Sequence, residues 1–168
     1  MTFTTMVLNP EHERSGFNCG VDQLDNYLKK TSKQDMKRFL NVVHVMTEKD
    51  DSKVIGYYSL SNIGINRSQL PDEIIGKLPK GYQDLPATLI GRLARDLKYK
   101  GQGVGEALLL DAMRRSYDLT QTGAGSMAVV VDPTNDNAEI FYKKFGFIEL
   151  PDRKRMFIPM ATVKKLLV

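Results

Sequence analysis

Two groups of residues in this sequence have the types and spacing for chemistry. The first is the turn Lys100-Gly101-Gln102-Gly103-Val104-Gly105, followed by Glu106 and an apolar helical pattern. Glycines at this spacing let the backbone approach a ligand and expose successive N–H groups. A helix start adds a favourable end for negative charge. The corresponding chemistry is capture of a pyrophosphate. The turn is not a dinucleotide fingerprint, because Glu106 stands where the third glycine belongs and Thr122-Gly-Ala-Gly-Ser126 supplies no acid further on. It is not a P-loop either, because Glu106-Ala107 replaces Lys-Ser/Thr. Taken alone, such a turn also serves as a structural corner. The second group is Asn135, Ala138 and Tyr142, at helical spacing just ahead of Phe145-Gly146-Phe147. A tyrosine in such a helix is commonly a packing residue. A phenol of ordinary pKa, about 10, is also protonated at neutral pH and can hand a proton to a leaving group.

The elements that must position these groups follow from pattern. Asp22 is placed to cap a helix carrying Leu24, Tyr27, Leu28 and Thr31. The apolar runs Val42 to Met46 and Val54 to Leu60 flank a polar stretch and predict an antiparallel pair. Residues 67–86 hold three prolines and predict irregular chain with one short helix after Pro71. Leu89 to Leu93 predicts a strand, the glycine turn leads into a helix over Val104 to Tyr117, and Met127 to Val131 predicts a central strand. A helix from Asn135 to Lys144 should stop at Gly146, and Phe147 to Leu150 and Met156 to Met160 close the chain as short strands. On the helix after the turn, Gly105, Leu108, Leu109, Ala112, Met113 and Ser116 share one arc, whose small residues suit close packing on a sheet. The order predicts an α+β domain over residues 1–168, with a mixed central sheet flanked by helices.

From Leu89 to Phe147 the chain resembles the acetyl-CoA site of GNAT acetyltransferases, whose pyrophosphate loop reads Q/R-x-x-G-x-G/A. Lys100 stands at the first position, and Gly103 and Gly105 match. Five segments in order, spread over about 130 residues, resemble one branch of that family, the TacT/AtaT-like toxins of type II toxin–antitoxin pairs. They are Phe17-Asn-Cys-Gly20, Leu24-Asp25-Asn-Tyr27-Leu28, Ile55-Gly-Tyr-Tyr-Ser-Leu60, Leu89-Ile-Gly-Arg-Leu-Ala-Arg-Asp96 and Phe141-Tyr-Lys-Lys-Phe-Gly-Phe147. Arg95 stands where that branch usually has a small apolar residue, so the strand is expected to end differently here.

The resemblance implies acetyl transfer from acetyl-CoA to the α-amino group of an aminoacyl-tRNA, a ribbon–helix–helix antitoxin as partner, and a homodimer. It implies that Tyr142 is the acceptor-side acid and that Leu93, Ala94 and Arg95 pair with the pantetheine arm. It assigns Lys100, Gly101, Gln102, Gly103, Val104, Gly105 and Glu106 to the pyrophosphate, with Asn135 and Ala138 completing the cofactor set. No metal is expected. An ordinary α-amine has a pKa of about 7.7–8.0, which the adjacent ester lowers further, so much of the nucleophile is already neutral and a strong base is less necessary.

Composition is compatible with this. The formal net charge is +4, with basic residues at Lys29, Lys30, Lys33, Lys37 and Arg38, then at Lys143, Lys144, Arg153, Lys154 and Arg155. Such clusters suit a phosphate-rich partner. They argue against a carboxylate pocket for polyamines. The absence of a signal-like or membrane-spanning apolar run predicts a cytoplasmic protein with no membrane partner. Cys19 is the sole cysteine, and His12 and His44 are isolated, so neither a thiol–imidazole pair nor a metal cluster is apparent. Two other readings stay open at this level: a GNAT enzyme acting on a small amine or a protein amine, and a non-catalytic acyl-CoA-binding regulatory module.

Overall fold

The computed structural model describes residues 2–152 and 154–168. Arg153, one of the cations named above, lies outside the described residues. The apolar run at Val42 becomes strand β2 (Val42–Glu48), after β1 (Phe3–Val7), and the next run becomes β3 (Gly56–Asn66). All three pair antiparallel, with Val7 opposite His44 and His44 opposite Tyr58. Sequence reasoning missed β1. Its five residues, Phe-Thr-Thr-Met-Val, lack clean alternation because only one neighbour and half of one face need satisfying. Strand β4 (Asp84–Arg95) begins earlier than the apolar pattern, and β5 (Ala128–Val131) pairs parallel to it from Thr88–Val129 to Ile90–Val131. Strands β6 (Ile148–Glu149) and β7 (Met156–Pro159) complete a mixed seven-stranded order, β1-β2-β3-β4-β5-β7-β6.

Among the described residues six α-helices accompany the strands: α1 (Asp22–Asn26), α2 (Ser32–Lys37), α3 (Asp72–Ile75), α4 (Val104–Thr122), α5 (Asp136–Lys144) and α6 (Met160–Leu166). Three expectations are corrected here. Asp22 is the first residue of α1, and Val21 occupies the cap with no side-chain bond. Between α1 and α2 the chain widens into a π-turn over Tyr27–Thr31, closed by Ser32 N–H on the Tyr27 carbonyl. Arg14 and the Ser32 hydroxyl both donate to the Leu28 carbonyl, at 3.0 and 2.7 Å, and so satisfy an acceptor that the widened turn would strand. The closing α6 was not anticipated.

The chain forms two compact units, each built from two segments. The first unit comprises Met1–Ser61 and Gly91–Ala112. Its core is Leu8, Phe17, Tyr27, Leu28, Val43, Val45, Val54, Tyr57 and Ala94. Here Val104, Leu108, Leu109 and Ala112 of α4 are fully buried. The close approach of α4 is made on the strand side. A Cβ added at Gly56 would meet Leu108 Cδ1 at 2.7 Å. The small residues predicted on the helix arc are therefore less decisive than the strand glycine.

The second unit comprises Asn62–Ile90 and Met113–Val168. Ile65, Leu70, Leu85, Ala87, Ala128, Val130, Leu150 and Phe157 form its core. The short α3 follows Pro71 as expected, whereas a 3₁₀ turn at Arg67–Gln69 and the start of β4 at Asp84 replace part of the expected irregular chain. Among the described residues no helix is long and apolar enough to cross a membrane.

Candidate active site

In the first unit, the end of β4 and the start of α4 set the glycine turn. The strand runs through Arg95, so this residue does not cut it short. Asp96, buried at its end, donates its N–H to the Ile55 carbonyl at 2.8 Å. Its carboxylate accepts from Lys98 N–H at 2.9 Å and Asn18 N–H at 3.1 Å. One acid thus starts the 3₁₀ turn Leu97–Tyr99 and clamps the Phe17–Gly20 loop against it. The Tyr99 hydroxyl donates to Glu48. The turn is therefore anchored from behind by two carboxylates, while its front is made of backbone.

Gly101 and Gly103 both take φ +77, a conformation that side chains rarely adopt. A Cβ at Gly101 would meet nothing within 4 Å, and at Gly103 only the Glu106 carboxylate at 4.0 Å. The first helical bond runs from Ala107 N–H to the Gly103 carbonyl at 3.0 Å. The amides of residues 103–106 therefore precede the intrahelical ladder, as at any helix start. Open space in front of unladdered amides fits a pyrophosphate. Lys100, Gly101, Gln102, Gly103 and Glu106 are exposed, Gly105 is half-buried and Val104 is buried as the anchor. Leu93 and Arg95 are half-buried, and Ala94 belongs to the core.

In the second unit, α5 carries the tyrosine. The Asn135 side chain accepts from Ala138 N–H at 2.8 Å and caps the helix. The side-chain oxygen of Asn135 and the backbone amide of Ala138 are thus bound to each other. The Asn135 NH₂ group is left over from this cap. At the other end, Phe147 N–H donates to the Tyr142 carbonyl at 3.2 Å and Gly146 N–H to the Lys143 carbonyl at 3.0 Å. Gly146, at φ +97, makes this a Schellman stop. The motif Phe141–Phe147 thereby fixes the backbone of Tyr142. The rings of Phe141 and Phe147 lie 5.3 and 5.4 Å from the Tyr142 ring. Burial among them pushes the phenol up to about 12, because a phenolate there would be desolvated. Tyr142 is an acid that stays protonated.

The basic residues divide. Lys143 sits between Glu139 and Glu149, at 3.1 and 3.2 Å, and Arg155 holds Asp132 through two bonds of 2.7 and 3.0 Å. Lys144 and Lys154 are exposed. In the first unit, Lys33 and Lys37 join Arg14 around a cavity of about 430 Å³ floored by Leu8, Pro10 and Met36, and no carboxylate among the described residues lines it. Lys30 and Arg38 are exposed nearby in sequence, and Lys29 is half-buried. Cys19 donates to the Val21 carbonyl, and burial with the Asp25 contact pushes its thiol up to about 11, against a nucleophilic role.

Sequence reasoning missed Arg14, which lines the cavity, and Arg92. The Arg92 guanidinium lies over the Tyr27 ring, 3.4 Å from its centroid. An arginine inside the apolar run Leu89–Ala94 was the available signal.

A glycine turn that offers backbone donors suits a pyrophosphate, and a buried phenol that stays protonated suits proton donation. The acetyltransferase (GNAT) domain profile matches residues 41–149, and the chain belongs to the GNAT acetyltransferase family. It is 34% identical over 163 residues to the Sinorhizobium fredii protein named Probable toxin TacT, covering 93% of this chain and 90% of the relative. A tyrosine-to-phenylalanine mutant of KacT superposes with a TM-score of 0.91 at 28% identity, covering 99% of both chains. AtaT complexed with acetyl-methionyl-tRNAfMet gives 0.90 at 25% identity, covering 99% of this chain and 100% of the other.

Proposed function

We propose that this chain is a toxin that transfers the acetyl group of acetyl-CoA to the α-amino group of an aminoacyl-tRNA and thereby blocks translation. The observation that carries the reading is Tyr142: a phenol desolvated by its own motif and locked at a helix stop, at the position of the family's acceptor-side acid. The similarity to TacT, and to AtaT complexed with acetyl-methionyl-tRNAfMet, supports the substrate.

In this mechanism the turn from Lys100 to Glu106 receives the pyrophosphate and the backbone of Leu93, Ala94 and Arg95 pairs with the pantetheine arm. The neutral amine attacks the thioester carbonyl and an N–C bond forms. The oxyanion is met by a strand N–H near Leu93. The C–S bond then breaks, and the thiolate takes its proton from Tyr142. A phenol near 12 does not ionise outright toward a thiolate of pKa about 8.5. It passes its proton to the departing sulfur only as the proton shed by the new amide nitrogen replaces it, so CoA leaves as the thiol and the phenol ends neutral. The products are N-acetyl-aminoacyl-tRNA and free CoA. Lys29, Lys30, Lys33, Lys37 and Arg38 carry the tRNA backbone, with Lys144 and Lys154 secondary. The protein acts in the cytoplasm as a homodimer held in check by a ribbon–helix–helix antitoxin.

The test is incubation with acetyl-CoA and a total charged tRNA pool, nuclease digestion and mass spectrometry. Acetylated aminoacyl-adenosine is the expected product, with uncharged tRNA untouched. Its absence for every amino acid, alongside ready acetylation of polyamines or peptides, would overturn the reading.

A further inference from the structure

We propose that Arg92 is the phosphate fork of the acceptor site and binds the phosphate on the 5′ side of the terminal aminoacyl-adenosine. The proposal rests on the tRNA reading above. Arg92 stands in β4 immediately before Leu93, the strand residue assigned to the thioester. Strand side chains alternate, so Arg92 shares the face of Ala94, which packs in one core with Tyr27.

The side chain is pre-oriented. Its Cζ lies 3.4 Å from the Tyr27 ring centroid. Tyr27 is itself fixed three ways. Its hydroxyl donates to Asp35 at 2.9 Å and accepts from Asn41 Nδ2 at 2.6 Å, and its ring stacks on Tyr57 at 6.4 Å and 18°. A guanidinium lying on a ring face keeps its N–H edge clear, and that edge matches two oxygens of one phosphate. No carboxylate among the described residues pairs with Arg92, and it is half-buried. A desolvated ring platform, a fixed plane and an uncompensated charge form a built anion site one residue from the proposed reaction centre.

The acceptor supplies the matching anion. An aminoacyl ester has no free carboxylate, so the nearest negative group to the reacting amine is the phosphate of the same nucleotide. The same charge repels a polyamine and so sorts acceptors.

The experiment compares two minimal acceptors made with the amino acid that the charged-tRNA assay identifies: aminoacyl-adenosine and its 5′-phosphate. Wild-type protein should favour the phosphorylated acceptor by roughly tenfold or more in kcat/KM, mostly through KM. Arg92→Ala should bring the two acceptors to equal kcat/KM. Arg92→Lys should keep only part of the preference, since it retains the charge and loses the fork. Calorimetric acetyl-CoA binding reports that each variant is folded. Retention of the wild-type phosphate preference by Arg92→Ala overturns the proposal. So does a wild type that acetylates charged tRNA but ignores the phosphate, and that outcome leaves the tRNA reading standing. A wild type inactive on every charged tRNA removes both.

Discussion

The two units contribute different kinds of function, and the difference lies in what each is made of. The first offers backbone and cations that have no ion pair among the described residues: a glycine turn facing open space, Arg92 on its ring, and a basic cavity with no acid in its lining. The second offers one buried side chain. Its cations at Lys143 and Arg155 are already held by Glu139, Glu149 and Asp132. Side-chain changes in the first unit should therefore be read mainly in KM, because its proposed oxyanion donor near Leu93 is backbone, and Tyr142 should be read in kcat. A run of basic residues in a sequence is not a net charge until the carboxylates around it are counted.

The largest effect tests the chemical side. Tyr142→Phe should lower kcat at least ~10²-fold while acetyl-CoA binding and fold persist. The pH dependence sharpens this. Burial raises the Tyr142 pKa to about 12, so the acid form is full across pH 6 to 9. The wild-type rate should climb as the amine loses its proton, near pKa 7.7–8.0 or below beside an ester, and show no descending limb in that range. Stability carries the same sign: the neutral phenol's burial holds below the ordinary pKa of about 10 and is lost as pH rises toward 12. A Tyr142→Phe enzyme that turns over near the wild-type rate would leave water as the acid.

Next is the cofactor side. Gly103→Val places a side chain in open space that the donor should fill, at a φ of +77 that valine resists. Acetyl-CoA affinity should fall by about tenfold or more, a difference of roughly 1.4 kcal/mol in binding. Undiminished affinity in a folded variant would move the cradle elsewhere.

The basic clusters give a smaller, graded effect. Lys33→Glu with Lys37→Glu should raise the KM for charged tRNA and flatten its salt dependence. The log–log slope should shrink by about 0.7–0.9 for each phosphate that is no longer neutralised. Lys143→Glu should change little by comparison, because its charge is already shared by two glutamates. Equal effects at both places would erase the proposed division.

Much of the site was legible in sequence. The glycine turn, the tyrosine helix and its glycine stop are local devices, written in short motifs whose spacing sets their geometry. What was not legible depends on partners distant in the chain. Arg92 needed Tyr27 beneath it, and the inertness of Lys143 and Arg155 needed Glu149 and Asp132 beside them. Asn135, read as a ligand contact, also caps its own helix through the Ala138 N–H, a bond that the spacing alone does not display. The strand Phe3–Val7 lay hidden because two threonines break its alternation, and the π-turn because an inserted residue leaves no compositional trace.

The smallest prediction compares two helix ends. Helices α2 and α5 both close with Schellman bonds. At α2, Leu40 N–H donates to the Asp35 carbonyl at 3.0 Å and Phe39 N–H to the Met36 carbonyl at 3.1 Å, the same pattern that Phe147 and Gly146 make at α5. The left-handed position is Gly146 in one and Phe39, at φ 59, in the other. A β-carbon there costs about 1–2 kcal/mol in conformation. Phe39 recovers nothing by packing, since it is 95% exposed. Glycine would forfeit about 0.5–1 kcal/mol through its freer unfolded chain. Phe39→Gly should therefore stabilise the fold by up to roughly 1 kcal/mol, raising Tm by about 2–4 °C. Phe39→Ala, with the strain kept and the ring removed, should stay within about 0.5 kcal/mol of wild type. Urea midpoints of the three proteins decide it. A less stable Phe39→Gly would mean that the ring makes contacts in solution that offset its conformational cost. An unchanged Phe39→Ala beside a stabilised Phe39→Gly isolates the backbone as the cause.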